Sequence, residues 1–253
     1  MPKGVYAAAS AMVTETRALE VTARNLAHAT TAGYRRETAL RDSFANSLAQ
    51  EGKTGIKGSG GAGVQSAGSY HSFNEGTRDQ TAAPFDLALS GDGFYRVRHP
   101  DGRLLLTRAA HFQLDNQFRL TTPEGWIVEG QGGAITIPAE AQQVRVDRAG
   151  RVNVVTTSGG VVQESVLDQL RLSKVAKPSA MPAHNSVYFE PGSQEVSDAT
   201  TAQVHQGEIE RGNVDPIREL VDMISLQRRY DAAQRSLKEN ANAGAGFSDI
   251  LRS

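Results

Sequence analysis

The sequence predicts a mixed α and β chain: an amphipathic helix at each end, the two pairing with each other, and between them an antiparallel all-β domain built from hairpins. Three observations carry that reading. Residues 4–31 keep an apolar 4–3 spacing through nearly four heptads. From Phe85 to about Phe189 the pattern changes to short alternating runs separated by turn pairs. After Asp215 helical spacing returns and holds to about residue 241.

In the first helix the spacing places Val5, Ala9, Met12, Thr16, Leu19, Ala23, Leu26 and Thr30 on one seam. Half of these side chains are small, so the seam removes little apolar area from water at about 25 cal/mol per Å². Such a helix is expected to be packed closely by others, because small side chains permit close approach. The domain reading is a helix over 1–33, an extended linker over 34–69, a β body over 70–205 and a C-terminal helix over 206–253. The linker ends in QEGKTGIKGSGGAGVQSAGS, residues 50–69, whose glycines and serines suit a connector.

In the body, FDLALSG, GFYRVRH, RLLLTR, HFQLD, FRLTT, WIVEG, AITIP, VRVDR and VNVVT each have strand length. Turn residues such as Gly91-Asp92-Gly93, Asp101-Gly102 and Ala149-Gly150 separate them. In the last segment Asp215 is placed to cap and Pro216 suits the first turn. Two stripes follow, one of Ile217, Leu220, Val221 and Ile224, the other of Met223, Leu226, Tyr230, Ala233 and Leu237. Together they form a band too wide for a single partner helix.

Composition narrows the function. Lys+Arg 27 against Asp+Glu 28 gives a formal net charge of -1, which argues against a nucleic-acid or anionic-membrane partner. The absence of cysteine excludes disulfides, thiolate metal sites and a cysteine nucleophile. Aromatic residues at 6% suit an elongated body or one that buries surface against other chains. MPKGVYAAASAMVTE lacks the apolar segment of a cleaved signal peptide, and no stretch approaches the roughly 18 apolar residues of a membrane span.

No reactive constellation emerges. The histidines at 28, 71, 99, 111, 184 and 205 show no metal-ligand spacing. Asp86, Asp92 and Asp101 could supply paired carboxylates to a glycosidase, but turn chemistry explains them better. Ser90-Gly91-Asp92-Gly93 is not a nucleophile elbow, the glycines at 58–63 are not a phosphate loop, and Arg35-Arg36 reads as a small solvated basic spot. No catalytic residue, cofactor, metal or small-molecule substrate is assigned.

Three segments carry a resemblance. ARNLAHATTAGYRRE resembles the N-terminal signature of the rod and hook family of bacterial flagellar axial proteins, through Asn25, Leu26, Ala27, Thr30, Gly33, Tyr34 and Arg35, with Arg24 and His28 where the family has Asn. FDLALSGDGFYRVRHPDGRLLLTRAAHFQLD is similar to the body signature, through Asp86, Ala88, Gly91, Gly93, Phe94, Val97, Thr107, Arg108 and Phe112. Ala110 stands in place of the usual Gly, and the later Asn-Gly turn is missing around Gln117-Phe118. GNVDPIRELVDMISLQRRYDAAQRSL is similar to the C-terminal signature, through Asn213, Val214, Glu219, Leu220, Val221, Met223, Ile224, Gln227, Arg228 and Tyr230. Length and a single body domain favour the rod proteins of the FlgF/FlgG type over the longer hook protein, and ENAN and Leu251 lean to the proximal rod.

The resemblance implies a structural subunit of the basal-body rod that polymerises into the shaft carrying torque to hook and filament. It implies terminal helices paired as a coiled coil, packed on neighbouring subunits through residues such as Val5, Met12, Leu19, Leu26, Ile224 and Leu226. It also implies partners among the other rod and hook proteins, and export by the flagellar type III apparatus without a cleaved signal. Gly33 is then expected to end the first helix in a left-handed conformation, with Tyr34 opening the linker; Gly33→Asn should be milder than Gly33→Val. Two other classes share parts of this reading. A wall-degrading hydrolase would need convergent titratable groups. A β-rich binding or adhesive domain with helical oligomerisation ends would need a ligand pocket in 70–205.

Overall fold

The computed structural model is described over residues 2–43, 64–158 and 161–250. The part of the expected linker over 44–63, and Leu251, lie outside the described residues. The chain forms two compact units. The first holds the two helices with residues 37–70, and the second holds His28–Arg36 together with His71–Val214.

In the first unit α1 spans Pro2–Ala27 and α2 spans Pro216–Ile250. β1 (Glu37–Ser43) and β2 (Val64–His71) pair as a two-stranded sheet. Both strands overlap the stretch read as an extended linker, β2 beginning inside its Gly/Ser-rich part at Val64. α1 packs on both α2 and β1. Asp215 caps α2 as expected, its carboxylate accepting the N–H groups of Ile217 at 3.0 Å and Arg218 at 3.3 Å.

The helices run antiparallel. A Cβ on Gly4 would meet Asn240, Glu15 faces Arg229, and Asn25 reaches Glu219. The pairings advance along one helix as they retreat in equal steps along the other. This alignment sets Leu226, which is buried, in register with buried Ala18.

The buried stripe of α1 is displaced by one position from the expected seam. Ala8, Thr14, Ala18, Val21, Thr22 and Asn25 are buried, whereas Val5, Met12, Leu19 and Leu26 are half-buried and Thr16 and Ala23 exposed. The physical reason is close approach: alanines and threonines let α1 lie near its neighbours, while larger side chains flank the contact. Thr14 satisfies its buried hydroxyl by donating to the Ser10 carbonyl at 2.9 Å. On α2, Glu219, Met223, Leu226, Tyr230, Ala233 and Leu237 form the buried or half-buried face, and the stripe of Ile217, Leu220, Val221 and Ile224 is exposed.

In the second unit every strand pair is antiparallel. The main sheet is built around β5 (Phe94–Arg98), flanked by β6 (Leu104–Thr107), β9 (Ile127–Gly130) and β14 (Leu172–Val175). β5 is buried on both faces: Tyr95 and Val97 join clusters with Leu87, Phe112 and Val128, and with Tyr34, Leu105 and Trp126, while Phe94 joins Leu106, Met181 and Phe189. The short strands β7 (Gln113–Leu114), β8 (Leu120–Thr121), β10 (Gly133–Ala134), β15 (Ala183–His184), β16 (Tyr188–Phe189) and β17 (Val196–Asp198) complete this sheet, and a separate three-stranded sheet holds β11 (Gln143–Val146), β12 (Arg151–Ser158) and β13 (Val161–Gln169).

Hairpins explain only part of this body. β4 (Leu87–Ser90) pairs with β18 (Gln203–Gln206), and β3 (Arg78–Gln80) with β19 (Glu208–Glu210). These long-range pairs carry no turn signal. A fragment covering 28–214 is therefore expected to melt cooperatively, whereas 70–205 omits β19 and the 28–36 segment and should melt broadly or at lower temperature. Circular dichroism melts of the two fragments test this; equal sharp melts would sink it.

One five-residue turn recurs at His99–Arg103, Asp115–Arg119, Thr122–Trp126 and Asp147–Arg151, and two of these begin with aspartate. In Asp115–Arg119 and in Asp147–Arg151, the first residue's N–H donates to the last residue's carbonyl and the fourth residue's N–H to the first's carbonyl. In each, one carboxylate oxygen accepts two backbone N–H groups and the other accepts the arginine Nε. The Arg119 backbone N–H, followed by its guanidinium, holds the Asp115 carboxyl below the usual carboxylate range. This stabilisation is present above the unfolded aspartate pKa and is lost as pH falls through the depressed folded value.

Candidate functional site

Within the second unit the first two motif segments and the strand that leads into the third converge on a buried ionic cluster. Arg35 is fully buried, correcting the expectation of a solvated basic spot. Its guanidinium donates to Glu210 Oε1 at 2.7 Å and to the Asn74 carbonyl at 2.9 Å. Glu210 is also buried, and its Oε1 accepts the Gly76 N–H at 2.8 Å. Arg108 donates to Glu210 Oε2 at 3.3 Å, to the Gly93 carbonyl at 2.6 Å and to the Gly91 carbonyl, with its guanidinium 5.7 Å from the Phe94 ring centroid. Burial pulls the Arg35 pKa below its ordinary value, and Glu210 opposes that shift.

Backbone geometry explains the glycines. Gly91 sits at φ +80°, and a Cβ on Gly93 would come within 2.9 Å of the Ala202 Cβ. These two positions bring their carbonyls to Arg108. Thr107 donates to the Val187 carbonyl and accepts the Ala109 N–H, each at 2.9 Å.

Gly33 has the expected positive φ, +70°, but it does not end the helix, which stops at Ala27. Its N–H donates to the Glu210 carbonyl at 2.8 Å, and a Cβ there would lie 2.2 Å from the Ala109 nitrogen. Glycine is required by backbone crossing backbone. Tyr34 is buried in the body, stacked on His28 at 5.0 Å between ring centroids, and shares a cluster with Val214.

Two motif asparagines finish main-chain pairing. In the second unit Asn213 accepts the Arg36 N–H at 2.7 Å and donates to the carbonyls of Ser72 and Asn74 at 2.8 and 2.9 Å. In the first unit Asn25 takes both main-chain groups of Glu37, at 2.8 and 2.9 Å, and donates to Glu219 at 3.2 Å. Ala27 and Thr30 are exposed and join neither set. Glu210 was missed by sequence reasoning, because a glutamate in GEIERGN looks like a strand's solvent face. Asp86 closes a turn, its N–H donating to the Ala83 carbonyl at 3.2 Å, and its carboxylate is buried, accepting from Thr81 and His111 at 2.5 Å each.

Both oxygens of Glu210 are engaged within the protein, and no group of three or more potential metal ligands occurs among the described residues. No helix among them is long and apolar enough to cross a membrane. The cluster fixes the segment that follows α1 and the segment that precedes α2 into one β body, the work of a structural subunit with two ends.

Comparison with known proteins agrees. Residues 88–154 match the flagellar hook protein FlgE/F/G D1 domain, and residues 205–240 match the flagellar basal body rod FlgEFG protein C-terminal region. The chain is 30% identical over 234 residues to the flagellar basal-body rod protein FlgG of Buchnera aphidicola subsp. Schizaphis graminum, covering 87% of this chain and 88% of that one. It is 29% identical over 245 residues to FlgF of Caulobacter vibrioides, covering 95% and 94%. With FlgG of Bacillus subtilis it shares 28% identity over 250 residues, 92% of each chain. The chain belongs to the flagellar basal-body rod proteins of the FlgF/FlgG type and is a structural subunit of the rod.

Proposed function

We propose that this subunit polymerises, through its terminal helices paired as a coiled coil, into the axial shaft that carries motor torque to hook and filament. Export by the flagellar type III apparatus without a cleaved signal and a non-catalytic role belong to the same reading. The observation that carries it is the apolar stripe of α2 that α1 leaves uncovered, with Ile217 74% and Val221 60% exposed. A stripe of this kind needs further partners to leave water. The residues read as the assembly helices divide accordingly: Leu226, Tyr230 and Leu237 pack within the chain, while Ile217, Leu220, Val221 and Ile224 would meet neighbouring subunits. The ENAN segment at 239–242 supports the proximal end of the rod. Torque entering the β body would leave through two anchored segments, 28–36 and 208–214, rather than one.

Ile224→Asp should leave the melting curve of the free chain unchanged, since Ile224 is about half exposed, yet abolish its recovery in purified basal bodies. Leu226→Asp should damage both, because it buries an unpaired charge in the helix pair. Wild-type recovery of the Ile224 variant would remove the proposal. Locating a tagged chain along isolated rods by electron microscopy tests the proximal position.

A further inference from the structure

His99 opens the His99–Arg103 turn, in the place that aspartate takes in Asp115–Arg119 and Asp147–Arg151. Its Nδ1 accepts the Asp101 N–H at 3.4 Å or donates to an Asp101 carboxylate oxygen at 2.8 Å, according to its protonation. Arg103 Nε donates to the other Asp101 oxygen at 2.7 Å, and its Nη1 reaches Glu190 Oε1 at 2.5 Å. His184, on β15, holds its Nδ1 3.7 Å from that same Glu190 oxygen. Arg103 therefore ties the β5–β6 turn to the β15–β16 hairpin, which forms one edge of the main sheet. The two imidazoles are 5.7 Å apart between ring centroids. Trp126, which is buried, lies 4.8 Å from His99 and 5.8 Å from His184.

The surrounding groups hold their charge. Arg98, paired with Glu129, donates to the Gly102 carbonyl at 3.3 Å. Tyr188, 4.5 Å from Trp126, donates its hydroxyl to Glu124 at 2.5 Å. Burial, then Glu124, pushes the Tyr188 hydroxyl up, so it keeps its proton. The Arg103 backbone N–H, then its guanidinium, holds the Asp101 carboxyl well below the usual carboxylate range, so it stays ionised.

With both imidazoles neutral, one guanidinium serves two carboxylates, Asp101 and Glu190. One proton on either ring balances those charges. A second makes three cations for two carboxylates, sets two imidazoliums side by side, and makes His184 compete with Arg103 for one oxygen. Arg103 and Asp101 are exposed, and an ion pair in water is weak enough for that competition to displace it.

We propose that this cluster is a proton-responsive clasp. With at most one imidazole charged, Arg103 holds the hairpin to the turn; with both charged the bridge opens and water reaches Trp126. Histidine is the side chain that changes charge between about pH 5 and 8, so the clasp opens at the acid end of that range. The inference is independent of the rod-subunit reading.

Trp126 is the only tryptophan, so the fluorescence of the full chain reports this cluster alone. Between the alkaline and acid ends of the range, the wild-type chain should gain accessibility to acrylamide quenching, with its far-ultraviolet circular dichroism unchanged. His99→Gln and His184→Gln, singly or together, should abolish that gain, because none of these variants can place two charges there. Glu190→Gln, which removes the anchor of Arg103, should show the raised accessibility already at the alkaline end. Equal wild-type accessibility at both ends would overturn the clasp, as would a gain kept by the double variant, which would assign it to another group. A gain kept by either single variant would overturn the requirement for two charges, and with it the proposal. Loss of the strand signal in acid would replace local opening by general unfolding and overturn it too. So would Glu190→Gln matching wild type at the alkaline end.

Discussion

Replacing Glu210 by glutamine is expected to cost the β body about 3–5 kcal/mol, the usual consequence of removing one partner from a buried charge pair. The change is nearly isosteric, so cavity formation contributes little. What remains is two buried guanidiniums, Arg35 and Arg108, whose shared carboxylate is gone. The Gly76 N–H would compete with them for the single amide oxygen left. For a unit of this size the loss corresponds to a fall in Tm of roughly 6–20 °C. Arg35→Met should be milder, because Glu210 keeps Arg108 and the methionine brings no charge. Thermal melts of the two variants and of the double variant Arg35→Met, Glu210→Gln test the scheme. A Glu210→Gln chain melting within about 2 °C of wild type would show that the cluster does not hold the body together.

Gly33 gives the second large effect, and the structure reverses part of the sequence-based expectation. A left-handed helix end would tolerate asparagine. At Gly33, however, an added Cβ lies 2.2 Å from the Ala109 nitrogen and 2.4 Å from its Cα, and those backbone atoms cannot rotate away. Gly33→Ala, Gly33→Asn and Gly33→Val should all displace the 28–36 segment. Overpacking costs typically 1–3 kcal/mol and the positive φ about 1–2 kcal/mol more, so a total on the order of 3 kcal/mol is expected. The Gly33 N–H bond to the Glu210 carbonyl would loosen with it, so the two sites should be coupled rather than additive. The measurement is the Tm of the three variants together with rod protein recovered in basal bodies. An asparagine variant as stable as wild type would restore the helix-cap reading.

The sequence by itself determined the two amphipathic helices, the strands of the body between Leu87 and Ser158 and the cap at Asp215, because each is signalled by local spacing or turn chemistry. It also pointed to the motif residues, though not to what they do. Tertiary structure decided the rest. Which stripe of α1 is buried depends on how closely another element approaches, so small residues won over the larger ones at Val5, Met12, Leu19 and Leu26. The pairings of β3 with β19 and β4 with β18 join distant segments, for which no local signal exists. Arg35 and Glu210 look solvated in sequence and are buried only because each supplies the charge the other needs, 175 positions away. Gly33 is glycine because a distant backbone passes against it, and a steric demand of that kind is set by the fold alone.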